Sequence, residues 1–222
     1  AMYRSKELGR NTYQFLDANG NLVATTRTTT DTVNAPGSGR LKGVELELAV
    51  APAKGLTLSA SYSYNSVKIP NTLNPFPQSI GGGQLALITV PIPIYQPYTP
   101  EHSASGSIVY ETPLGGMTLK LHLDANYDSG YYAGYTDSDY DSVSRAVRFA
   151  QPKGDAGVVF NGRIALADIP VGSTGAKATF AVWARNLFNE GHQFLKFGTA
   201  ASGIQAFFND PRTFGGEINI KM

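Results

Sequence analysis

The chain has 222 residues, a formal net charge of +1 and no cysteine. That length allows one domain with a sizeable core or one modest barrel. The missing thiols exclude a disulfide framework and any thiolate metal site or nucleophile, and a near-neutral balance without a basic cluster argues against nucleic acid as a partner. With 12 Tyr, 11 Phe and 24 Gly against 16% charged residues, the composition points to a β-rich protein with many surface aromatics. No apolar run reaches the roughly 18–20 residues of a spanning helix. The longest, Leu85 to Ile94, is broken by prolines. The start, AMYRSKELGR, lacks the apolar core of a signal peptide. It reads as a mature chain or as a piece of something longer.

In chain order, Ala1 to Leu8 reads as a short strand, and Thr12 to Leu16 and Leu22 to Thr26 flank Asp17-Ala18-Asn19-Gly20, a hairpin signal because Asn-Gly tolerates positive φ. The Thr-rich run Thr25 to Thr32 leads into a loop at Pro36 to Gly39. Arg40 to Ala51 alternates, with Val44, Leu46, Leu48 and Val50 on one face, and after Pro52 to Gly55 the pattern returns over Leu56 to Val67. A proline-rich irregular stretch, Lys68 to Pro100, follows and carries Gly81-Gly82-Gly83 as a flexible tip. His102 to Tyr110 and Met117 to Tyr127 are strands joined by a tight turn, the second with Met117, Leu119, Leu121 and Leu123 opposite Thr118, Lys120, His122 and Asp124. A second loop, Ser129 to Asp155, has Tyr131, Tyr132 and Tyr135 at its base. Ala156 to Asp168 and Lys177 to Leu187 flank a turn over Pro170 to Ala176, and a third loop runs from Asn189 to Asp210. In the last stretch, Phe214, Gly216, Ile218, Ile220 and Met222 share one face, as expected of a barrel-closing strand.

About eight strands of roughly ten residues, joined alternately by tight turns and long loops, predict an all-β fold: an antiparallel transmembrane β-barrel with periplasmic turns and extracellular loops. Tyr62, Tyr64, Tyr110, Tyr127, Phe160, Phe180 and Phe214 concentrate near strand ends, as an interfacial girdle requires. The inward charges Glu45, Glu47, Lys120, Asp124, Arg163, Arg185, Glu217 and Lys221 balance in sign. Two alternatives share the pattern. One is a free-standing eight-stranded outer-membrane barrel with a structural or adhesive role, and the other a soluble carbohydrate-binding β-sandwich.

Four stretches also carry a resemblance in wording. Gly39-Arg40-Leu41-Lys42-Gly43-Val44-Glu45-Leu46-Glu47 with Pro52 to Tyr62, Tyr98-Thr99-Pro100-Glu101-His102-Ser103, Ala184-Arg185-Asn186-Leu187-Phe188-Asn189, and Asn209 to Gly215 are similar, in order, to segments of TonB-dependent outer-membrane receptors. The resemblance spans most of residues 1–222 and implies the C-terminal third of a barrel of about 22 strands with a plugged lumen. It implies uptake of a scarce nutrient such as an iron chelate, cobalamin or a saccharide, with localisation in the bacterial outer membrane. The implied partners are outer-membrane lipid, the remainder of the receptor with its plug, TonB reached through that plug, and the barrel-assembly machinery. Neither plug nor TonB box is expected within these residues. Met222 departs from the terminal aromatic usual in that family.

Catalysis finds no support, and no cofactor is expected. His102, His122 and His192 lack a metal-ligand spacing, and no GxSxG elbow occurs. Asp137, Asp139 and Asp141 form a D-x-D-x-D run that could present carboxylates to calcium, although Ser142 replaces the loop glycine of an EF-hand. Tyr95, Tyr98, Phe207 and Phe208 are loop residues that could meet substrate at the outer mouth or, equally, pack against other loops or the rest of the receptor.

Overall fold

The computed structural model describes residues 3–16, 22–34, 37–71, 78–81, 84–86, 91, 93–135, 139–140, 147–173, 175–199 and 202–221. Every regular element among them is a strand. The order is β1 (Tyr3–Leu16), β2 (Leu22–Asn34), β3 (Arg40–Ala53), β4 (Leu56–Lys68), β5 (Gln78–Gly81), β6 (Gln84–Ala86), β7 (His102–Leu114), β8 (Met117–Asp128), β9 (Asp139–Tyr140), β10 (Val147–Phe149), β11 (Gly157–Val171), β12 (Ala176–Arg185), β13 (Leu195–Thr199), β14 (Gly203–Phe207) and β15 (Thr213–Lys221).

Seven of these make one antiparallel meander, ordered β15-β12-β11-β8-β7-β4-β3. Each strand pairs with its predecessor and successor in that set, so only local hairpin and loop closures are needed to build it. Tight turns join β3 to β4, β7 to β8 and β11 to β12 at one end, and the long connections 69–101, 129–156 and 186–212 stand at the other. The register is continuous. Val50, Leu58, Ile108, Leu123, Gly162, Ala184 and Phe214 lie side by side across all seven strands. One residue away, Ala49, Ser59, Ser107, Asp124 and Asn161 form a polar row on the other face. A one-residue slip would exchange the faces, so the alternation fixes the pairing.

The large apolar side chains are outside. Leu46, Val182 and Ile218 expose 60%, 61% and 67% of their surface, whereas the buried apolar residues of the sheet are alanines: Ala165, Ala167, Ala176, Ala178 and Ala181. A water-soluble sheet would cover such a face with a second layer. Here the elements in extensive contact are the hydrogen-bonded neighbours themselves, which is not a β-sandwich. A continuous apolar outer surface on a single-layer sheet is the surface of a transmembrane β-barrel wall. The expected girdle residues Tyr62, Tyr64, Tyr110, Tyr127, Phe160, Phe180 and Phe214 all fall on this face in register. His102 joins them, with Nδ1 2.8 Å from the Tyr62 hydroxyl, its ring stacked on Tyr62 and tilted against Tyr64.

Several expectations are corrected. The first strand is a single β1 with a register shift between Leu8 and Asn11, and β2 runs through Thr25 to Thr32 to Asn34 before the loop ahead of β3. β-branched threonines favour the extended chain. The Asp17 to Gly20 turn lies outside the described residues. The β1–β2 hairpin is a separate two-stranded sheet, so the expected eight-strand count becomes seven strands in the continuous wall. That wall is open. β3 and β15 are its edges among the described residues, which disfavours a closed eight-stranded barrel. The irregular loops carry hairpins of their own, β5–β6, β9–β10 and β13–β14. Gly81 lies in β5, while Gly82 and Gly83 lie outside the described residues. β11 runs on to Val171 past a register shift between Leu166 and Ile169, where Asp168 adopts φ 60°.

One turn glycine is indispensable. Gly55 has φ 77°, and a Cβ there would collide with the Glu111 backbone carbonyl of β7, whose amide donates to the Gly55 carbonyl at 2.8 Å. Gly55→Ala is expected to cost about 2–4 kcal/mol from the left-handed backbone and the overpacking together, read as a lowered melting temperature of the detergent-solubilised barrel.

Candidate functional site

Two surfaces can meet a solute: the polar face of the wall and the cluster of long connections above it. On the polar face several charges are paired across strands. Lys120 Nζ lies 3.0 Å from Glu111 Oε1, and Arg163 reaches across β12 to Glu217 at 3.1 Å. Asp124 accepts from Asn161 Nδ2 at 2.7 Å, with His122 Nε2 3.6 Å away. Ser59 with Ser107 and Ser61 with Ser105 share hydroxyl hydrogen bonds of 2.8 and 2.7 Å. Trp183 covers Gly215, where a side chain would meet the indole ring, and the Arg185 guanidinium stands 5.6 Å from the Trp183 ring. Glu111 was not among the expected inward charges, yet its position opposite Lys120 places it there. Such a surface of hydroxyls and charges of both signs suits the hydrated inside of a wide barrel.

At the long-loop end, backbone hydrogen bonds stitch three connections together. Tyr95 N–H donates to the Tyr135 carbonyl at 2.8 Å and Tyr98 N–H to the Tyr132 carbonyl at 2.9 Å. Gly154 N–H donates to the Tyr131 carbonyl and Asp155 N–H to the Gln193 carbonyl, both at 2.9 Å. The rings follow the backbone: Tyr95 stacks on Tyr132 with centroids 4.1 Å apart, and Tyr98 tilts against Tyr131 at 5.9 Å. Tyr98 adopts φ 54° and is 66% exposed. A non-glycine residue held at positive φ stores strain that clusters at functional positions. Partial burial first, then the nearby Asp128 carboxylate, raises the Tyr131 phenol above its ordinary range. Beside the Tyr95–Tyr132 stack opens a cleft of about 260 Å³, whose polar lining includes Asn65, Lys68, Gln96, Glu101 and Lys153.

The candidate substrate-facing residues therefore separate. Tyr95 and Tyr98 join one aromatic cluster. Phe207 stacks on Phe197 at 5.9 Å within the β13–β14 hairpin, and Phe208 follows it, 60% exposed. Tyr132 and Lys153 complete the cleft, and Tyr131 stands against Tyr98; the sequence placed Tyr131 and Tyr132 at a loop base without marking them as substrate-facing. Of the calcium run, Asp139 lies in β9, while Asp137 and Asp141 lie outside the described residues. Among the described residues no three His, Asp or Glu side chains converge as metal ligands. Phe214, Ile218 and Ile220 lie on the apolar face of the edge strand β15, 80%, 67% and 57% exposed, and Met222 lies outside the described residues.

The third connection is held by buried polar groups. Asn186 is 3% exposed at φ 49°. Its Nδ2 donates to the carbonyls of Glu190 and Asp210 at 2.7 and 2.9 Å, and its Oδ1 accepts from Glu190 N–H at 2.8 Å. Asn189 accepts from Arg212 N–H, so the N-L-F-N run ties the end of β12 to the start of β15. His192 is buried against Gly157 and exchanges backbone and side-chain bonds with Asn209.

The sequence profile of the family described as TonB dependent receptor-like, beta-barrel, matches residues 10–187. The chain belongs to that family. Its members work in TonB-dependent transport at the outer membrane. Comparisons with curated proteins and with solved structures gave no match.

One contact at the mouth titrates. The 2.6 Å hydrogen bond from Lys196 Nζ holds the Asp155 carboxyl below the ordinary carboxylate range. A lowered folded-state value means that the contact contributes fully above the unfolded pKa of about 4 and is lost as pH falls through the folded value. Hydrogen-exchange protection of the β13–β14 hairpin, corrected for intrinsic exchange, is expected to hold from neutral pH down to about 4 and to decline below it. Asp155→Asn lowers that protection at neutral pH and abolishes the decline.

Proposed function

We propose that this chain forms part of the wall and mouth of a non-catalytic outer-membrane receptor. It takes up a scarce nutrient, an iron chelate, cobalamin or a saccharide, with energy passed from TonB through the receptor's plug. The observation that carries this reading is the aromatic cluster at the mouth: Tyr98, strained and exposed, beside the stacked Tyr95–Tyr132 pair and a polar cleft. Exposed rings held by stitched backbone offer a preorganised face to a ring-bearing solute, and the paired polar wall beneath offers a hydrated path.

The test uses a strain lacking the receptor, offered a ferric chelate, cobalamin or a maltooligosaccharide as its only source. Uptake of one of the three is expected to be lost, and to return with the gene only when TonB is present. Full uptake of all three without the receptor, or unchanged uptake without TonB, overturns the proposal. Replacing both Tyr98 and Tyr132 by Ala in the restored receptor is expected to weaken nutrient affinity about tenfold or more, the effect of losing aromatic anchors. Unchanged affinity would remove the mouth cluster from the binding site.

A further inference from the structure

The outer end of the apolar face carries an uncompensated cationic patch. In β3 and β4, Val44 pairs with Tyr64, Lys42 with Ser66, and Arg40 with Lys68. At about 3.4 Å per residue, Lys42 and the Arg40–Lys68 pair stand about 7 and 14 Å beyond Val44–Tyr64 along the strands. Tyr62, Tyr64 and His102 sit just below on the same face and mark the membrane interface. The cations therefore project at head-group height on the long-loop side. Carboxylates of these strands are on the other face: Glu45 and Glu47 pair with Ser63 and Ser61 in the polar rows, and Glu101, whose carbonyl accepts from Asn65 N–H, follows them. Among the described residues no carboxylate pairs with Arg40, Lys42 or Lys68, although Lys68 also borders the mouth cleft.

Directly beneath lies a second feature. Ala60, Gly106 and Ala125 stand side by side on β4, β7 and β8, a run of small residues on the apolar face. They floor an apolar groove of about 410 Å³ bordered by Leu48, Leu58, Ile108, Leu123 and Phe160. Ala60 is four residues from Tyr64 along β4, about 14 Å into the hydrocarbon. The volume lies within the range of roughly 300–1,000 Å³ typical of ligand sites.

We infer that this face holds one lipid with an anionic phosphate head group, its phosphate on Arg40, Lys42 and Lys68 and its acyl chain in the Gly106 groove. Charge complementarity selects the head, since a zwitterionic head offers these cations a phosphate already neutralised by its own ammonium. The groove selects a chain over bulk solvent. The inference rests on the outer-membrane reading but on no particular nutrient.

The native receptor, purified from outer membranes and placed in nanodiscs of equal parts phosphatidylcholine and phosphatidylglycerol, supplies the test. Native mass spectrometry after release reads the lipids retained. About tenfold enrichment of phosphatidylglycerol is expected for the unmodified protein, and its loss in R40Q/K42Q/K68Q. Gly106→Leu fills the groove without a backbone clash, because the nearest atom to a Cβ there is the Ser59 carbonyl at 3.6 Å. This variant is expected to retain less of both lipids at an unchanged ratio. Enrichment that survives in the triple variant, or no enrichment in the unmodified protein, overturns the head-group site, and retention unaffected by Gly106→Leu overturns the groove. Failure to insert at all would instead overturn the membrane reading, and the site with it.

Discussion

Leu123→Arg is expected to destabilise the inserted barrel by about 2–4 kcal/mol, while His122→Arg one position earlier stays within about 0.5 kcal/mol. Leu123 belongs to the row that crosses all seven strands on the apolar face, near the middle of β8. An arginine there must leave its guanidinium in hydrocarbon or bend back toward an interface several residues away. His122 points the other way, 47% exposed, beside Asp124, and an arginine in its place gains a carboxylate partner in a hydrated lumen. Reversible unfolding by guanidinium of the receptor in lipid vesicles measures both. Equal costs for the two substitutions would mean that both faces see the same solvent, and the wall could not be a membrane wall.

The second large effect is at Asn186. Asn186→Ala removes three side-chain hydrogen bonds made by a buried asparagine and leaves the Glu190 amide without its acceptor. Alanine also resists φ 49°. Together these are expected to cost about 2–4 kcal/mol, the sum of three lost hydrogen bonds and the strain of alanine in the left-handed backbone. Asn186→Gly separates the two causes: it relaxes the backbone but restores no bond, so it recovers only about 1 kcal/mol. The readout is the denaturation midpoint in detergent, with trypsin cleavage between 186 and 212 reporting whether the loss is local. A shift below about 1 kcal/mol in both variants would mean that water replaces the side chain and that the turn is held elsewhere.

The alternation of Val44, Leu46 and Leu48, or of Leu119, Leu121 and Leu123, is a local property with a period of two, so the faces of the wall were legible before any pairing was known. The same holds for the tight turns at Gly55 and Gly115-Gly116, where positive φ calls for glycine. The N-L-F-N run was legible only as familiar wording. Its work, a buried asparagine bonded to carbonyls 4 and 24 residues away, has no periodic signature. Neither does the stitching of Tyr95 to Tyr135 or Gly154 to Tyr131, because backbone donors and acceptors are identical in every residue and leave no trace in composition. The sequence by itself thus determined the long strands of the wall and the alternation of their two faces. Only the tertiary structure decided which loops meet, that His102 stands with Tyr62 on the outer face, and that the wall stays open between β3 and β15, because these depend on contacts between residues far apart in the chain.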